Sequence, residues 1–302
     1  MKKIILVAGA TGSLGSRITK ALLEKGAEVR IIVRPGSDPE KIKILEDLGA
    51  KVFQVNIMNP SATIAACSGV SCVVSALAGL REVVIDTQKA LLDAALAAGV
   101  PRFIPSDYSL DFTRFLPGEN RNLDWRREFH EYLDQSGIAA TSIFNGAFAE
   151  LLTGQMPMIL FKKKLVLYWG KADHPMSFTT MDDTAVFTAN AALDVATPRY
   201  LHIAGDLKSP AEMRNLVSEL SGEKFRLFRA GGKGLLSTLI NIMRTLAPGH
   251  KELYPAFQGM QYMRNMIDDR ALLKKKDNAR YPGMYWTTAM DVLTAYLADV
   301  KL

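Results

Sequence analysis

The glycine-rich segment at residues 9–15, with the sequence GATGSLG, constrains the fold of this chain more than any other feature. An apolar run at residues 3–8 precedes it and is typical of a buried parallel strand. Apolar residues then recur at helical spacing up to Gly26, and a second apolar run follows at residues 29–33. A strand, a glycine turn, a helix and a strand within about thirty residues predict a right-handed βαβ unit.

The spacing of the three glycines predicts a dinucleotide-binding turn. Gly9 permits the tight turn, Gly12 lets the main chain approach a pyrophosphate, and Gly15 allows close packing of helix and strand. A purely structural turn is the alternative, and the βαβ context favours dinucleotide binding over it. The predicted cofactor-binding residues of this turn are Gly9, Thr11, Gly12, Ser13, Leu14 and Gly15.

The end of the second predicted strand indicates which dinucleotide binds. NAD sites commonly place a carboxylate there, about twenty residues on, to hold the ribose 2′-hydroxyl. This chain has Arg34, nineteen positions after Gly15. A guanidinium suits a 2′-phosphate through its charge and planar donors, so NADP is favoured and NAD remains the alternative.

Alternating strands and helices continue through the first half and predict an α/β fold, a doubly wound parallel (Rossmann) sheet. Predicted helices lie at residues 40–48, 60–67, 83–98 and 124–135, and predicted strands at 51–55, 72–75, 101–104 and 140–144. Beyond residue 154 the pattern is looser, with strands at 165–168 and 200–203 and helices at 182–193 and 211–221. We therefore expect a Rossmann domain at 1–154 and a smaller, mixed α+β substrate domain at 155–302, parts of which can pack back onto the first.

Charge and composition narrow the expected partners. The net charge of +6 belongs to residues 152–302, which hold 20 basic and 14 acidic side chains, whereas residues 1–151 hold 17 of each. The excess includes lysine triplets at 162–164 and 274–276, and a solvated face is a commoner reason for such runs than nucleic-acid binding. No apolar run reaches the ~18–20 residues of a membrane helix, so we expect a cytoplasmic protein with no membrane or nucleic-acid partner.

Metal binding is not expected either. Cys67 and Cys72 are five residues apart, and the four histidines are scattered, so neither residue type shows metal-ligand spacing. Buried apolar filling is the favoured interpretation of the two cysteines.

Together these motifs resemble the atypical short-chain dehydrogenase/reductases of the NmrA-like and isoflavone-reductase-like group. Four further segments carry the resemblance: VVSALAG at 73–79, RFIPSDY at 102–108, SGIAATSIFNGAF at 136–148 and FTTMDDTA at 178–185. The resemblance implies that Asn56 and Ile57 lie beside the adenine. It also implies that the ribose is lined by Ser75, Ala76 and Leu77. The nicotinamide is approached, by the same resemblance, by Phe144, Asn145 and Gly146.

The catalytic residues depart from the patterns of related enzymes. No tyrosine here has a lysine four positions later, as the Tyr-x-x-x-Lys pair of classical members requires. In isoflavone-type reductases a helix-borne lysine relays the proton, and that position falls on Arg126, a permanent cation that exchanges protons poorly. His130, one helical turn later, is a candidate acid, with an ordinary surface histidine as the alternative. Tyr108 is a weaker candidate.

Two functions are compatible with these motifs. The favoured one is an NADPH-dependent reductase of a small, aromatic, enone- or quinone-type electrophile, in which Arg126 stabilises the developing oxyanion. The alternative is a non-catalytic NADP(H)-binding sensor of NmrA type that acts through a protein partner.

Overall fold

The computed structural model describes residues 2–273 and 275–300, so Lys274 of the second lysine triplet lies outside the described residues. The strands are β1 (Ile4–Ala8), β2 (Glu28–Val33), β3 (Lys51–Gln54), β4 (Cys72–Ser75), β5 (Arg102–Ile104), β6 (Ala139–Ala140), β7 (Ser142–Phe144), β8 (Ala147–Phe148), β9 (Ile159–Leu160), β10 (Leu165–Trp169), β11 (Met176–Thr179), β12 (Tyr200–His202), β13 (Asp206–Lys208) and β14 (Arg226–Gly231). The α-helices are α1 (Ser13–Glu24), α2 (Pro39–Asp47), α3 (Pro60–Cys67), α4 (Gln88–Ala97), α5 (Arg121–Gln135), α6 (Met181–Leu193), α7 (Pro210–Ser221), α8 (Lys233–Leu246), α9 (Ala256–Met266) and α10 (Ala289–Val300).

The chain forms two compact units that alternate along the sequence. Unit 1 comprises residues up to 108, 122–144 and 181–201, and unit 2 comprises residues 109–121, 145–180 and 202 onward. With the predicted boundary after residue 154, the chain would pass from one domain to the other once. In the structure it passes between the two units several times. Helix α6, expected in the second domain, belongs to unit 1 because it packs against α1.

Unit 1 contains a six-stranded sheet in the order β3-β2-β1-β4-β5-β6, with every pair parallel. This is the doubly wound order, in which the topology reverses between β1 and β4 and leaves a crevice at the carboxyl ends of those strands. The apolar runs that predicted β1 and β4 are buried on both faces of the sheet. The predicted Rossmann fold is therefore confirmed.

Two predicted elements of unit 1 differ from the structure. The single strand expected at 140–144 is two strands, because Thr141 still donates its N–H to Phe103 of β5 while the Ser142 N–H turns to the Arg199 carbonyl. The helix expected at 83–98 begins with a π-helical turn at Glu82–Thr87 before α4. Such turns are uncommon and occur often at functional sites.

Unit 2 is a mixed α and β assembly around its own apolar core. It holds two three-stranded sheets, in the orders β14-β10-β9 and β13-β11-β8. Buried residues from β10, α7, α8, α9 and α10 form one cluster, which includes Met213, Met263 and Met266. Several of the methionines in the second half thus fill a core. Strand β14 was not predicted, because its outward residues give it no continuous apolar run.

Within residues 2–273 and 275–300, no helix has both the length and the apolar character that a membrane crossing requires.

Candidate cofactor and active site

The glycine turn between β1 and α1 has the close approaches that its spacing predicted. Gly9 has φ +83°, and a Cβ there would lie 2.6 Å from the carbonyl oxygen of Ala76. A Cβ on Gly15 would lie 2.1 Å from the carbonyl oxygen of Gly9, a distance too short for any side chain. At Gly12 the corresponding distance to Gly9 is 3.2 Å, so the fold itself nearly admits a side chain. Gly9 and Gly15 are needed for packing, and Gly12 keeps the outer face of the turn open.

The N-terminus of α1 fits an anionic group. Gly12 is its N-cap, no side chain caps the helix, and its first turn carries no acidic residue. Gly12 and Ser13 are exposed, and Thr11 and Leu14 are half-buried. Main-chain N–H groups and the helix dipole at such an end attract a phosphate. A dinucleotide pyrophosphate therefore suits this turn.

Arg34 lies directly after β2 in a tight turn. The Ser37 N–H donates to the Arg34 carbonyl at 3.1 Å, and Gly36 has φ +82°, as a type II turn with proline before glycine requires. The Arg34 side chain is exposed. Asn56 lies just beyond the neighbouring strand, β3, and its side-chain oxygen accepts the Met58 N–H. Arg34 and Asn56 thus follow adjacent strand ends in unit 1, as expected for the adenosine side of a cofactor site.

Ser75 closes β4 opposite Ala8 of β1. Its hydroxyl is buried and has no hydrogen-bond partner among the described residues. Ala76 and Leu77 follow it and are half-buried. A buried hydroxyl without a partner beside the glycine turn fits a polar ligand group at this position.

The three residues assigned to the nicotinamide side fall in different units, Phe144 in unit 1 and Asn145 and Gly146 in unit 2. Phe144, in unit 1, is buried and stacks on Tyr200 with ring centroids 5.7 Å apart. Asn145, in unit 2, is held through its main chain, which donates to Ser109 and accepts from the Thr179 hydroxyl. The side-chain amide of Asn145 is buried, and neither of its polar atoms has a hydrogen-bond partner among the described residues.

Arg126 is half-buried on α5 and donates to two main-chain carbonyls. Its Nε–H donates to Ser106 at 3.1 Å, and its Nη1 donates to Asn122 at 2.9 Å. A guanidinium has five N–H groups, so these two bonds fix its direction without exhausting its donors.

Ser106, one of the two residues that accept from Arg126, is itself held by two further hydrogen bonds. The Ser106 hydroxyl donates to the Leu77 carbonyl at 2.8 Å, and the Ser106 N–H donates to the buried Gln88 side chain at 3.0 Å. Ser106 therefore links Arg126 to the segment that follows β4.

His130 lies in a buried polar network. Its Nε2 is 2.5 Å from Oδ2 of Asp107, and its Nδ1 is 3.2 Å from Nη2 of Arg199. Ser142 donates to the same Asp107 oxygen at 2.6 Å and accepts from Arg199 at 2.6 Å. His130 is only 6% exposed, so the alternative of a surface histidine is wrong.

Burial would by itself raise the pKa of Asp107. The facing His130, the Ser142 hydroxyl and the Arg126 cation nevertheless hold that pKa below the ordinary value. Asp107 is therefore an ionised carboxylate inside the protein, stabilised by two hydrogen bonds and a nearby cation.

Tyr108 follows Asp107 and is buried, and this burial raises the pKa of its hydroxyl above the ordinary value. The group is a weak acid that stays protonated near neutral pH.

Sequence reasoning missed Ser106, Asp107, Ser142 and Arg199. The first two lie in the PSDY segment that carried the family resemblance, so the motif pointed to the right loop. Arg199 is 69 residues from His130 in sequence, and no local pattern connects them.

The described residues contain no group of three or more histidine, cysteine, aspartate or glutamate side chains arranged to hold a metal ion. Cys67 and Cys72 are both free and buried.

Comparisons with known proteins agree with the fold and motifs. The sequence model of the NmrA-like family matches residues 1–275. Pinoresinol reductase 1 of Arabidopsis thaliana is 27% identical over 316 residues, which cover 98% of both chains.

Two solved structures are similar to this chain. The crystal structure of isoflavone reductase superposes with a TM-score of 0.83 at 20% identity, covering 98% of this chain and 100% of the other. The binary complex of leucoanthocyanidin reductase and NADPH from Vitis vinifera gives a TM-score of 0.81 at 21% identity, covering 98% and 99%. At these identities the two superpositions establish the shared fold.

Proposed function

Since the chain belongs to the NmrA-like family, we propose that it is an NADPH-dependent reductase of a small, aromatic, enone- or quinone-type electrophile. The observation that carries the proposal is the glycine turn between β1 and α1, which leaves the N-terminus of α1 without a side-chain cap. Exposed Arg34 follows the neighbouring strand β2. A relative that spans the whole chain is a pinoresinol reductase, which supports an aromatic substrate.

NADPH would supply the hydride, and the residues of unit 1 would hold it. The α1 N-terminus would bind the pyrophosphate, and the Arg34 guanidinium would bind the 2′-phosphate through charge-assisted hydrogen bonds. The buried Ser75 hydroxyl would bond to a polar group of the cofactor. Each assignment uses a donor that is exposed or lacks a hydrogen-bond partner among the described residues.

Arg126 would stabilise the negative charge that develops on the substrate oxygen. Its fixed cation is suited to this role because its direction is set by Ser106 and Asn122 before any ligand binds. The product also needs a proton. Tyr108 is a candidate donor but a weak one, because burial raises the pKa of its hydroxyl above the ordinary value. Arg126 itself holds its proton too firmly to deliver one.

Turnover of NADPH against a panel of quinones, enones and aromatic lignans tests the proposal. Steady oxidation of NADPH above the rate without protein, with at least one member of the panel, is the expected result. Tight NADPH binding without turnover would contradict it.

A second candidate is the non-catalytic NADP(H) sensor with a protein partner. The observation that favours it is Arg126 itself, because the position of the family's proton-relaying lysine holds a side chain bonded to main-chain carbonyls. A partner whose affinity changes with NADPH would support this candidate.

A further inference from the structure

We propose that Asp107 and His130 form a positioning pair, which fixes the turn of α5 that carries Arg126 and so sets the direction of the Arg126 guanidinium. The inference rests on the proposed function, in which Arg126 faces the reacting oxygen. It assigns His130 a role through Arg126 instead of direct contact with substrate.

Helix α5 is attached to one loop at two successive turns. Arg126 and His130 are four residues apart and therefore lie on the same helix face. They bond to consecutive residues, Arg126 to the Ser106 carbonyl at 3.1 Å and His130 to Asp107 at 2.5 Å. Two attachments one turn apart prevent this part of the helix from pivoting about either contact, which a single bond would allow.

The loop is in turn attached to the segment beyond β4. Ser106 donates to the Leu77 carbonyl, and its N–H is held by Gln88. Gln88 itself donates to the Val84 carbonyl within the π-helical turn. These hydrogen bonds thereby fix the direction of Arg126 relative to the segment assigned to the cofactor ribose.

Both ring nitrogens of His130 are engaged within the network. A guanidinium can only donate, so the contact with Arg199 requires Nδ1 of His130 to accept. Nε2 then carries the proton and donates it to Asp107. Neither nitrogen is therefore directed at a substrate.

The network is also shielded from water. The Tyr200 ring stacks on His130 with centroids 6.4 Å apart, and the Arg199 guanidinium lies 4.7 Å over the same tyrosine ring. Asp107 and Ser142 are fully buried. Hydrogen bonds to a carboxylate are strong in such a setting, so losing one of them displaces the loop.

Two substitutions of His130 separate positioning from simple filling of space. Glutamine places its amide N–H near the position of Nε2, so His130→Gln keeps a donor for Asp107. Asparagine is shorter and does not reach it, so His130→Asn removes that donor. Asp107→Asn replaces the carboxylate by an amide oxygen, which still accepts from His130 but more weakly. It therefore weakens the pair without leaving an unpaired buried charge, and it serves if His130→Asn does not fold. The exposed neighbour Glu131→Gln is the matched control on the same helix.

The experiment measures kcat, the substrate KM and NADPH affinity of each folded variant, together with the ¹⁵N NMR signal of the Arg126 Nε–H. Arg126→Lys assigns that signal by its loss. We expect His130→Asn and Asp107→Asn to lower kcat about 10- to 100-fold, because a small displacement of a reacting group has effects of this order. NADPH affinity should stay unchanged, and the Arg126 Nε–H should exchange faster with water. His130→Gln and Glu131→Gln should match the wild type in all of these.

Folded His130→Asn and Asp107→Asn proteins with wild-type kcat and an unchanged Arg126 signal would overturn the proposal. Loss of kcat with an unchanged Arg126 signal would also overturn it, because the pair would then act other than through Arg126. If the wild type has no turnover, the proposed function fails, and the NMR comparison alone decides whether the pair positions Arg126.

Discussion

Gly15 lies against Gly9 so closely that a Cβ on Gly15 would be 2.1 Å from the Gly9 carbonyl oxygen. The same measurement at Gly12 gives 3.2 Å, and Gly12 has φ −81° and ψ 165°, a conformation that valine adopts readily. Gly12 and Gly15 of the same turn are therefore under different structural constraints. Gly15 is required by the fold, whereas the fold nearly admits a side chain at Gly12, where we propose that the pyrophosphate approaches.

We predict that Gly12→Val abolishes NADPH binding while the protein keeps its fold, because the side chain would occupy the approach to the pyrophosphate. Gly15→Ala is the contrasting variant. It should lower the free energy of unfolding by about 1–3 kcal/mol, since main-chain atoms must move. Calorimetric titration and urea unfolding measure the two effects, and NADPH binding by a folded Gly12→Val protein would refute the assignment of the turn.

We predict that NADPH binds more tightly than NADH and that Arg34→Asp removes the difference. A lost charge-assisted contact to the 2′-phosphate costs roughly 1.5–3 kcal/mol, which is at least tenfold in Kd. Lys171→Asp makes the same charge change at an exposed position of unit 2 and should leave both affinities unaltered. Equal Kd values for the two cofactors in the wild type would contradict the assignment of Arg34.

We predict that Arg126→Ala lowers kcat by roughly 10²–10³, as removal of a main oxyanion donor does. Arg126→Lys should retain more activity, because a cation remains although the planar donor group is lost. Steady-state kinetics with the best substrate of the panel measure both. Wild-type kcat and KM in both variants would exclude Arg126 from the mechanism and leave Tyr108 to be tested.

We predict that Arg102→Met destabilises unit 1. Buried Arg102 donates to the Ala191 and Ala192 carbonyls at the end of α6 and to the Thr197 hydroxyl at 2.6 Å. Hydrogen bonds from a charged group contribute roughly 1.5–3 kcal/mol, and the loss should be of about that size. Urea unfolding tests this, with exposed Lys20→Met as the control. A change as small as that of the control would show that the carbonyls find other donors.

We predict that the two cysteines react slowly with thiol reagents in the native protein. Burial raises the pKa of Cys67 to about 11 and that of Cys72 to about 12. At pH 9 the native thiols are therefore almost fully protonated, whereas the unfolded chain, with an ordinary pKa near 9, is about half ionised. Labelling at pH 9 with and without urea compares them, and equal rates would contradict the burial of both thiols.

The Rossmann sheet could be predicted from sequence because short, mostly apolar runs alternate with helical patterns that end at glycine. The division of residues 139–144 into two strands could not. Thr141 and Ser142 interrupt its apolar run, but two polar residues do not by themselves end a strand. The choice of partner separates Thr141, bonded to Phe103, from Ser142, bonded to Arg199. Partner choice is a tertiary property that local pattern does not encode.

The candidate site shows the same limit. The glycine turn and Arg34 are local motifs with a fixed spacing, so sequence reasoning located them. The environment of His130 depends on Asp107 and Arg199, which are 23 and 69 residues away. Helical spacing placed His130 on the face of Arg126 but gave no indication that the ring would be buried.

Hydride transfer from NADPH to an aromatic electrophile is the chemistry on which the proposed roles of Arg34, Arg126 and the glycine turn depend. It is tested by turnover with NADPH deuterated at the transferable C4 position, followed by mass spectrometry of the product. We expect steady cofactor oxidation and, with an enone or lignan substrate, one deuterium on carbon in each product molecule. Tight NADPH binding, with neither oxidation nor deuterium transfer for any quinone, enone or lignan tried, would contradict the proposed function.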